Sequence, residues 1–488
     1  MTQKEMQSIL EIGTAISSEK DYNRLLEMIL NRIMELTHAD AGTLYLADGD
    51  LLRFKIMCNN TMHTCEGGDG KEPNLPPVRM SRENVCVMCY LENRTVCIEN
   101  VRTSTEYDFS GPVRYDAMTG YHTQSMLVVP MHNRQGERLG VIQLINAMDA
   151  AGNICAFPAD IIPAVESVAS QAAITIQNVL YIENIKELFE SFVRVMSSAV
   201  DERTPYNASH TRHMVEYGRH FIDYLNETAK AEGREPWFDA EHRHELLMSV
   251  WLHDIGKLVI PLEVMNKEAR LLPEQKSEIL HRFEKMRLLA QIACLKGAIS
   301  GETLEKRLEE LKQDGDTILR ANTAGFCPDD LREEICRIRE KTYTEEDGSE
   351  KPWLEEEEFQ MLMIRKGTLS EKERAVMESH VVITDKLLSE IRFSKELSHV
   401  REWAASHHEL LNGSGYPEHL MAEQIPMEVR IITILDIFDA LVADDRPYKP
   451  GMPVEKALGI LDIMADKEGK LDPELTRLFR KSRCWEKD

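Results

Sequence analysis

Leu252-His253-Asp254-Ile255-Gly256-Lys257 sets a histidine beside an aspartate, inside an apolar run that begins at Val250 and Trp251. Burying a charge is costly unless it is paired or bound to a metal. On a helix, adjacent side chains diverge by roughly 100°, so this pair can reach an ion from two directions. A buried His–Asp pair without metal is the alternative. Later segments favour the metal. Ser406-His407-His408-Glu409 carries adjacent histidines, and Leu435-Asp436-Ile437-Phe438-Asp439-Ala440 places an aspartate in an apolar helix. A mixed imidazole and carboxylate set suits iron, manganese or zinc rather than calcium or magnesium.

Two further stretches complete a pattern: Asn412-Gly413-Ser414-Gly415-Tyr416-Pro417 and Asp445-Arg446-Pro447-Tyr448-Lys449. With them, residues from about 195 to the end resemble an HD-GYP domain, a branch of the HD metal-phosphohydrolases. The similarity begins at Ala199-Val200-Asp201-Glu202-Arg203-Thr204-Pro205-Tyr206-Asn207-Ala208-Ser209-His210. Thr204 and Asn207 depart from the family there, while His210 keeps the ligand place. Tyr206 stands where some members carry a glutamate linked to a third metal, which favours two metals. The family's next metal histidine lies eleven residues after a leucine in a segment like Lys366-Gly367-Thr368-Leu369-Ser370, and this selects His380. His281, nine residues after Leu272, is a decoy. His242 and His244 read as surface residues.

The resemblance implies an all-α domain with two divalent transition metals, iron or manganese. Their ligands would be His210, His253, Asp254, His380, His407, His408 and Asp436, with Asp254 as the bridge. Asp254 and Lys257 would be catalytic. Two metals on Asp254 would lower the pKa of a shared water and clamp a phosphodiester for in-line attack. Lys257, one turn after His253, could neutralise phosphate charge or assist the leaving oxygen. Arg446 and Lys449 can hold a second phosphate. Gly413 and Gly415 permit a tight turn that presents Tyr416, followed by Pro417. The implied activity is hydrolysis of cyclic di-GMP to pGpG or GMP. A different cyclic dinucleotide substrate such as cyclic GMP-AMP, or a non-hydrolytic cyclic di-GMP receptor, are the competing readings. A diguanylate cyclase domain is an implied partner through the Gly-Tyr-Pro loop.

These residues need elements to carry them. About residues 268–365 form an insertion rich in Glu, Lys, Arg and Leu, in which Leu304, Leu308 and Leu311 give a helical stripe. Asp314-Gly315 and Asp347-Gly348 read as turns. A solvated outgrowth, a lid and a partner surface are the open readings. From Pro163 to about Val200 apolar residues recur at gaps of three or four: Val165, Val168, Ala172, Ile176, Val179, Ile182, Ile185, Phe189, Phe192, Met196 and Ala199. Pro163 suits a first turn. A stripe this long predicts a helix that joins two modules and pairs with a second copy, so a homodimer is expected.

Residues 1 to about 160 read as an α/β sensor module. Two amphipathic helices carry Ile9, Leu10, Ile12, Ala15 and Ile16, then Leu25, Leu26, Ile29, Ile33 and Leu36. Strands follow at residues 41–46 and 51–56 around Asp48-Gly49, then at 125–131 and 139–145. This order resembles a GAF domain over roughly residues 5–180, which implies an α+β fold and a small ligand of unknown identity. Domains are therefore expected at 1–180 (GAF), 181–200 (connecting helix) and 201–488 (HD-GYP). The Cys58, His63, Cys65, Cys86, Cys89 and Cys97 cluster reads either as ordinary packing or as a thiol or metal site. The loop from Asn59 to Pro77 is expected to be mobile.

Composition sets outer limits. A net charge of −25 over 488 residues, with 43% hydrophobic and 29% charged side chains, argues against a general nucleic-acid or anionic-membrane binder. No apolar stretch reaches the length of a membrane span, and Met1-Thr2-Gln3-Lys4-Glu5 lacks a signal peptide's core. The ten scattered cysteines suit reduced cytoplasmic thiols.

Overall fold

The computed structural model describes residues 21–68, 73–133, 135–203, 209–443 and 451–486, with Ala15 and Glu19. The first amphipathic helix, and Thr204, Tyr206, Asn207, Arg446 and Lys449, lie outside the described residues. The chain divides into two compact units, Met1–Phe189 and Glu190–Asp488.

The first unit is built on one antiparallel sheet. Helix α1 (Tyr22–Thr37) starts at Asp21, whose carboxylate accepts from Arg24 N at 2.8 Å, an N-cap that satisfies an otherwise orphan donor. Strands β1 (Ala39–Asp48) and β2 (Leu51–Asn59) meet at Gly49, whose φ of +55° the tight turn requires. Then come β3 (Thr64–Glu66), β4 (Val78–Arg79), α2 (Val85–Glu92), β5 (Val96–Ile98), α3 (Ser110–Thr119), β6 (Met126–His132), β7 (Arg138–Met148) and β8 (Ile154–Cys155). The sheet runs β3-β2-β1-β7-β6-β5, with β4 on β2 and β8 on β7. Alternation along the strands sorts two cores. Leu44, Leu46, Leu127 and Val129 pack with α1, whereas Tyr45, Met126 and Val128 pack with α2.

The cysteines resolve unequally. Cys58 and Cys65 face each other across β2 and β3 and form a disulfide, which corrects the expectation of uniformly reduced thiols. The stretch expected to be a mobile loop thus contributes a paired strand. Cys86 and Cys89 are buried in the second core, and burial pushes the Cys86 thiol up to about 12. They pack as small apolar groups, the opposite of a thiolate site.

Helix α4 runs unbroken over Ile162–Asp201. Val165, Val168, Ala172 and Ile176 are buried in the core of the first unit. Tyr181, Ile182, Ile185, Leu188, Phe192 and Val195 are then 53–70% exposed. Val193, Ser197 and Val200 are buried again.

The second unit is helical: α5 (His210–Ala231), α6 (Ala240–Leu252), a 3-10 turn (Ile255–Val259) and α7 (Leu262–Met265). The inserted segment follows, with α8 (Pro273–Leu295), α9 (Gly301–Thr323), α10 (Asp329–Arg339), the hairpin β9 (Thr342–Thr344) and β10 (Glu350–Pro352), and α11 (Glu356–Leu362). After it come α12 (Glu371–Glu378), α13 (His380–Leu388), α14 (Val400–Ala405), α15 (Met427–Val442), α16 (Val454–Asp466) and α17 (Pro473–Ser482). Phe221, Val250, Ile432, Leu435, Leu461 and Phe479 anchor the main core.

The insertion owns a separate core around Phe283, Leu311, Ile318, Ile335, Trp353 and Phe359. Asp347-Gly348 turns the β9–β10 hairpin, with Gly348 at φ +86°. The turn expected at Asp314-Gly315 does not form. Both residues lie inside α9, where Gly315 faces Phe283 and Asp314 pairs with Lys341. Packing against α8 outweighs the glycine's helix penalty of about 1 kcal/mol. The fully buried Arg270 closes the base of the insertion: it donates to Ile364 O at 2.9 Å and to Ala321 O, and its N–H reaches Asn322 O at 3.0 Å.

Candidate metal centre

Four segments converge on Asp254. Its Oδ2 lies 3.2 Å from His253 Nε2 and 3.8 Å from His210 Nε2. Its Oδ1 lies 3.4 Å from His380 Nε2 and 3.9 Å from His407 Nε2. One carboxylate therefore faces two histidine groups, one oxygen to each. Asp436 spans them in the same way, with Oδ1 at 3.4 Å from His210 Nε2 and Oδ2 at 3.7 Å from His408 Nδ1. The ligand-capable atoms form two clusters, His210/His253/Asp254 and His380/His407/His408.

Local backbone explains the aim of each ring. His253 follows α6, and its Nδ1–H donates to Val250 O at 2.7 Å. His380 opens α13 and donates to Met377 O at 2.7 Å. His407 follows α14 and donates to Ala404 O at 2.7 Å. Fixing Nδ1–H leaves the Nε2 lone pair facing inward, the arrangement metal-binding histidines use. His253 Nε2, His380 Nε2, His407 Nε2 and Asp254 Oδ1 are buried with no hydrogen-bond partner. Buried polar atoms are rarely left unpaired, so this donor set fits a divalent metal.

Electrostatics agree for His380, His407, His408 and Asp254. Burial depresses the His380 imidazole to about 4 and holds His407 and His408 below their ordinary range, which favours the neutral form that a metal would need. Burial disfavours charge on Asp254, but His253 and Lys257 hold its carboxyl well below the usual carboxylate range. Lys257 Nζ donates to Asp254 Oδ2 at 2.5 Å from a largely buried position. Burial pulls the His210 imidazole down, yet hydrogen bonds to Asp436 and Asp439 raise it to about 10.

The supporting shell was mostly invisible as motif. A side chain on Gly256 would collide with the main chain of His380 and Thr384, so this glycine lets α13 approach. Thr384 Oγ1 donates to His253 O at 3.1 Å and accepts from Gly256 N at 3.0 Å. Glu409, 2% exposed, accepts from Glu418 N at 2.6 Å and Leu420 N at 2.9 Å, and so braces the Gly-Tyr-Pro loop. In that loop, a side chain on Gly415 would overlap the His408–Leu410 main chain. The Tyr416 ring lies 4.7 Å from the His408 ring and 6.5 Å from the His380 ring. Pro417 follows it, and Gly413 turns at φ +74°. Asn412 accepts from Ser414 N at 3.0 Å, closing the turn.

Other histidines stay outside. His281 is exposed on α8. His244 is half-buried, 3.7 Å from Glu190, and His242 is not a simple surface residue either: it meets Glu428 at 2.7 Å and packs on Trp403.

Comparison with known proteins places both units. The GAF domain family model matches residues 21–176, and the HD domain model matches residues 357–475. The HD match holds His380, His407, His408 and Asp436, and begins after His210, His253 and Asp254. A 3'3'-cGAMP-specific phosphodiesterase 3 of Vibrio cholerae is 36% identical over 121 residues, 25% of this chain and 25% of that protein. The cyclic di-GMP phosphodiesterase response regulator RpfG of Xanthomonas campestris is 40% identical over 102 residues, 20% of this chain and 26% of that protein. A cyclic di-GMP phosphodiesterase of Thermotoga maritima is 36% identical over 121 residues, 25% of this chain and 32% of that protein. The alignments thus span only a quarter to a third of these relatives. Among solved structures, the GAF domain of an Acinetobacter phosphoenolpyruvate-protein phosphotransferase is 15% identical, with a TM-score of 0.28 over 38% of this chain and 99% of that one. No described helix is long and apolar enough to cross a membrane. The GAF domain match thus falls in the first unit, and the HD domain match falls in the second, where histidines and aspartates form a donor set that could hold a metal.

Proposed function

We propose that this chain is a metal-dependent phosphodiesterase that hydrolyses cyclic di-GMP to pGpG or GMP, regulated by its GAF domain. The observation that carries this reading is Asp254, which presents one oxygen to each of two histidine clusters, in which the Nε2 atoms of His253, His380 and His407 are otherwise orphaned. We assign His210, His253, Asp254, His380, His407, His408 and Asp436 as ligands of two iron or manganese ions. Such a pair supplies Lewis acidity at a phosphodiester. Lys257, held against Asp254, brings positive charge to the phosphate from a largely buried position, where it counts for more than in bulk. Tyr416 packs its ring beside those of His408 and His380 at the edge of the centre. The same chemistry suits a cyclic GMP-AMP, and three relatives are named for that substrate.

The regulatory half of the proposal rests on α4. Its exposed apolar face would pair with a second copy, and its ligand-sensing end is built into the GAF core. A diguanylate cyclase domain remains a proposed partner for the Gly-Tyr-Pro loop.

The test incubates manganese- or iron-loaded protein with cyclic di-GMP and cyclic GMP-AMP separately and resolves the products. Linear dinucleotide or mononucleotide should accumulate from cyclic di-GMP. Binding without any product would convert the reading to that of a receptor, and cleavage of cyclic GMP-AMP alone would reassign the substrate.

A further inference from the structure

The histidines of the centre are held from behind in two different ways. His253, His380 and His407 each give Nδ1–H to a main-chain carbonyl three residues earlier. His210, the first residue of α5, is held by a side chain. Its Nδ1–H instead donates to Asp439 Oδ2 at 2.6 Å, across 229 positions of sequence. Asp439 is 1% exposed, and its other oxygen faces His213 Nδ1 at 3.5 Å, one turn further along α5. Asp439 also sits one helical turn beyond Asp436 on α15. One helix face thus brings Asp436 to the Nε2 side of the His210 ring and Asp439 to its Nδ1 side.

We infer that Asp439 is a positioning residue: it fixes the tautomer and tilt of His210 and strengthens it as a donor, so that the His210/His253/Asp254 half of the centre depends on it for metal while the His380/His407/His408 half does not. A carboxylate behind a ligating imidazole raises its basicity and locks its orientation, and removing such a partner typically costs about 10- to 100-fold in metal affinity. The three histidines backed by main-chain carbonyls have no equivalent side chain to lose. This inference rests on the metal-centre reading but not on the substrate.

The experiment compares full-length wild type with Asp439→Ala and Asp439→Asn, each stripped of metal and titrated with manganese(II). Binding is followed by calorimetry and by the electron paramagnetic resonance of the bound ions. Wild type should take up two ions that give an exchange-coupled pair signal. Asp439→Ala should keep one site at wild-type affinity and weaken the other about 10- to 100-fold, giving an isolated-ion signal at one equivalent. Asp439→Asn keeps an acceptor for His210 without the charge, and should fall between the two. Unchanged affinities in both variants would overturn the inference. So would equal weakening of both sites, which marks a general structural role. Selective loss in a protein that cleaves no cyclic dinucleotide would support the inference and remove the proposed activity.

Discussion

At the residue scale, the centre is a set of constraints on single atoms. Asp254→Ala removes the group that faces both clusters, so bound metal should fall and turnover should vanish, read by elemental analysis and product assay. His380→Ala should lose metal while His281→Ala retains it, since one ring faces Asp254 and the other is exposed on α8. The reverse result would place the insertion on the wrong side of the third ligand segment. Protonation adds a further prediction. The His380 imidazole titrates near 4 when folded and near 6.5 when unfolded. The unfolded chain therefore binds more protons in this window, and stability of metal-free protein should fall as pH drops from about 6.5 to 4. The loss from His380 alone is on the order of 3 kcal/mol. His210, raised to about 10, keeps its contribution below 6.5 and loses it only as pH rises, so it does not cancel the effect. Melting temperature of metal-free protein across that range checks the sign. His253, Asp254, His407, His408 and Asp436 stood out in the sequence because His-Asp, His-His and an aspartate in an apolar helix are costly to bury without metal, whereas His210 and His380 were picked out by resemblance alone. Asp439, Glu409 and Thr384 were not, because their work is to brace another residue, and only three-dimensional neighbours reveal it. The i, i+3 spacing of Asp436 and Asp439 was the one available clue.

At the element scale, α4 shows what periodicity gives and withholds. Its extent was readable: the stripe from Pro163 to Val200 became Ile162–Asp201. Its rotational phase was not, because apolar residues occur on more than one side. The exposed set Tyr181, Ile185, Leu188, Phe192 and Val195 follows a 4-3-4-3 spacing, the repeat of a coiled-coil seam. Phe189, expected on that seam, is only half-exposed. The seam's uncharged flank includes Asn184 and Ser191, while Glu183, Lys186, Glu187 and Arg194 lie elsewhere around the helix. Two parallel copies could close on this face without setting like charges against each other. Leu188→Glu with Phe192→Glu should therefore shift the protein from dimer to monomer in light scattering and leave bound metal unchanged. A variant that stays dimeric would rule out the seam.

At the scale of the whole molecule, the insertion separates the His253–Asp254 segment from the His380 segment yet packs a core of its own within the second unit. Its core is distinct, Arg270 ties its entry to Asn322 and Ile364, and Lys267 Nζ meets Glu373 at 2.7 Å just beside it. Arg270→Ala would leave buried carbonyls unsatisfied at a cost of about 1–3 kcal/mol each. Limited trypsin digestion should then cut faster within residues 273–362, with metal content preserved. Loss of metal in parallel with cleavage would show that the insertion holds the centre together. Sequence made the insertion visible as a break in a pattern, but not its independence, which comes from long-range packing. The same separation bears on how the protein is made. Loop closure grows slowly with length, about 0.6 kcal/mol per doubling, so a detour that folds on its own contacts adds little to the joining of His253 and Thr384 across 131 positions. The later tie, from His210 to Asp439, waits for α15. A chain still emerging from the ribosome therefore has its first histidines long before the carboxylates that complete and orient them. The candidate metal centre comes into being only near the end of synthesis.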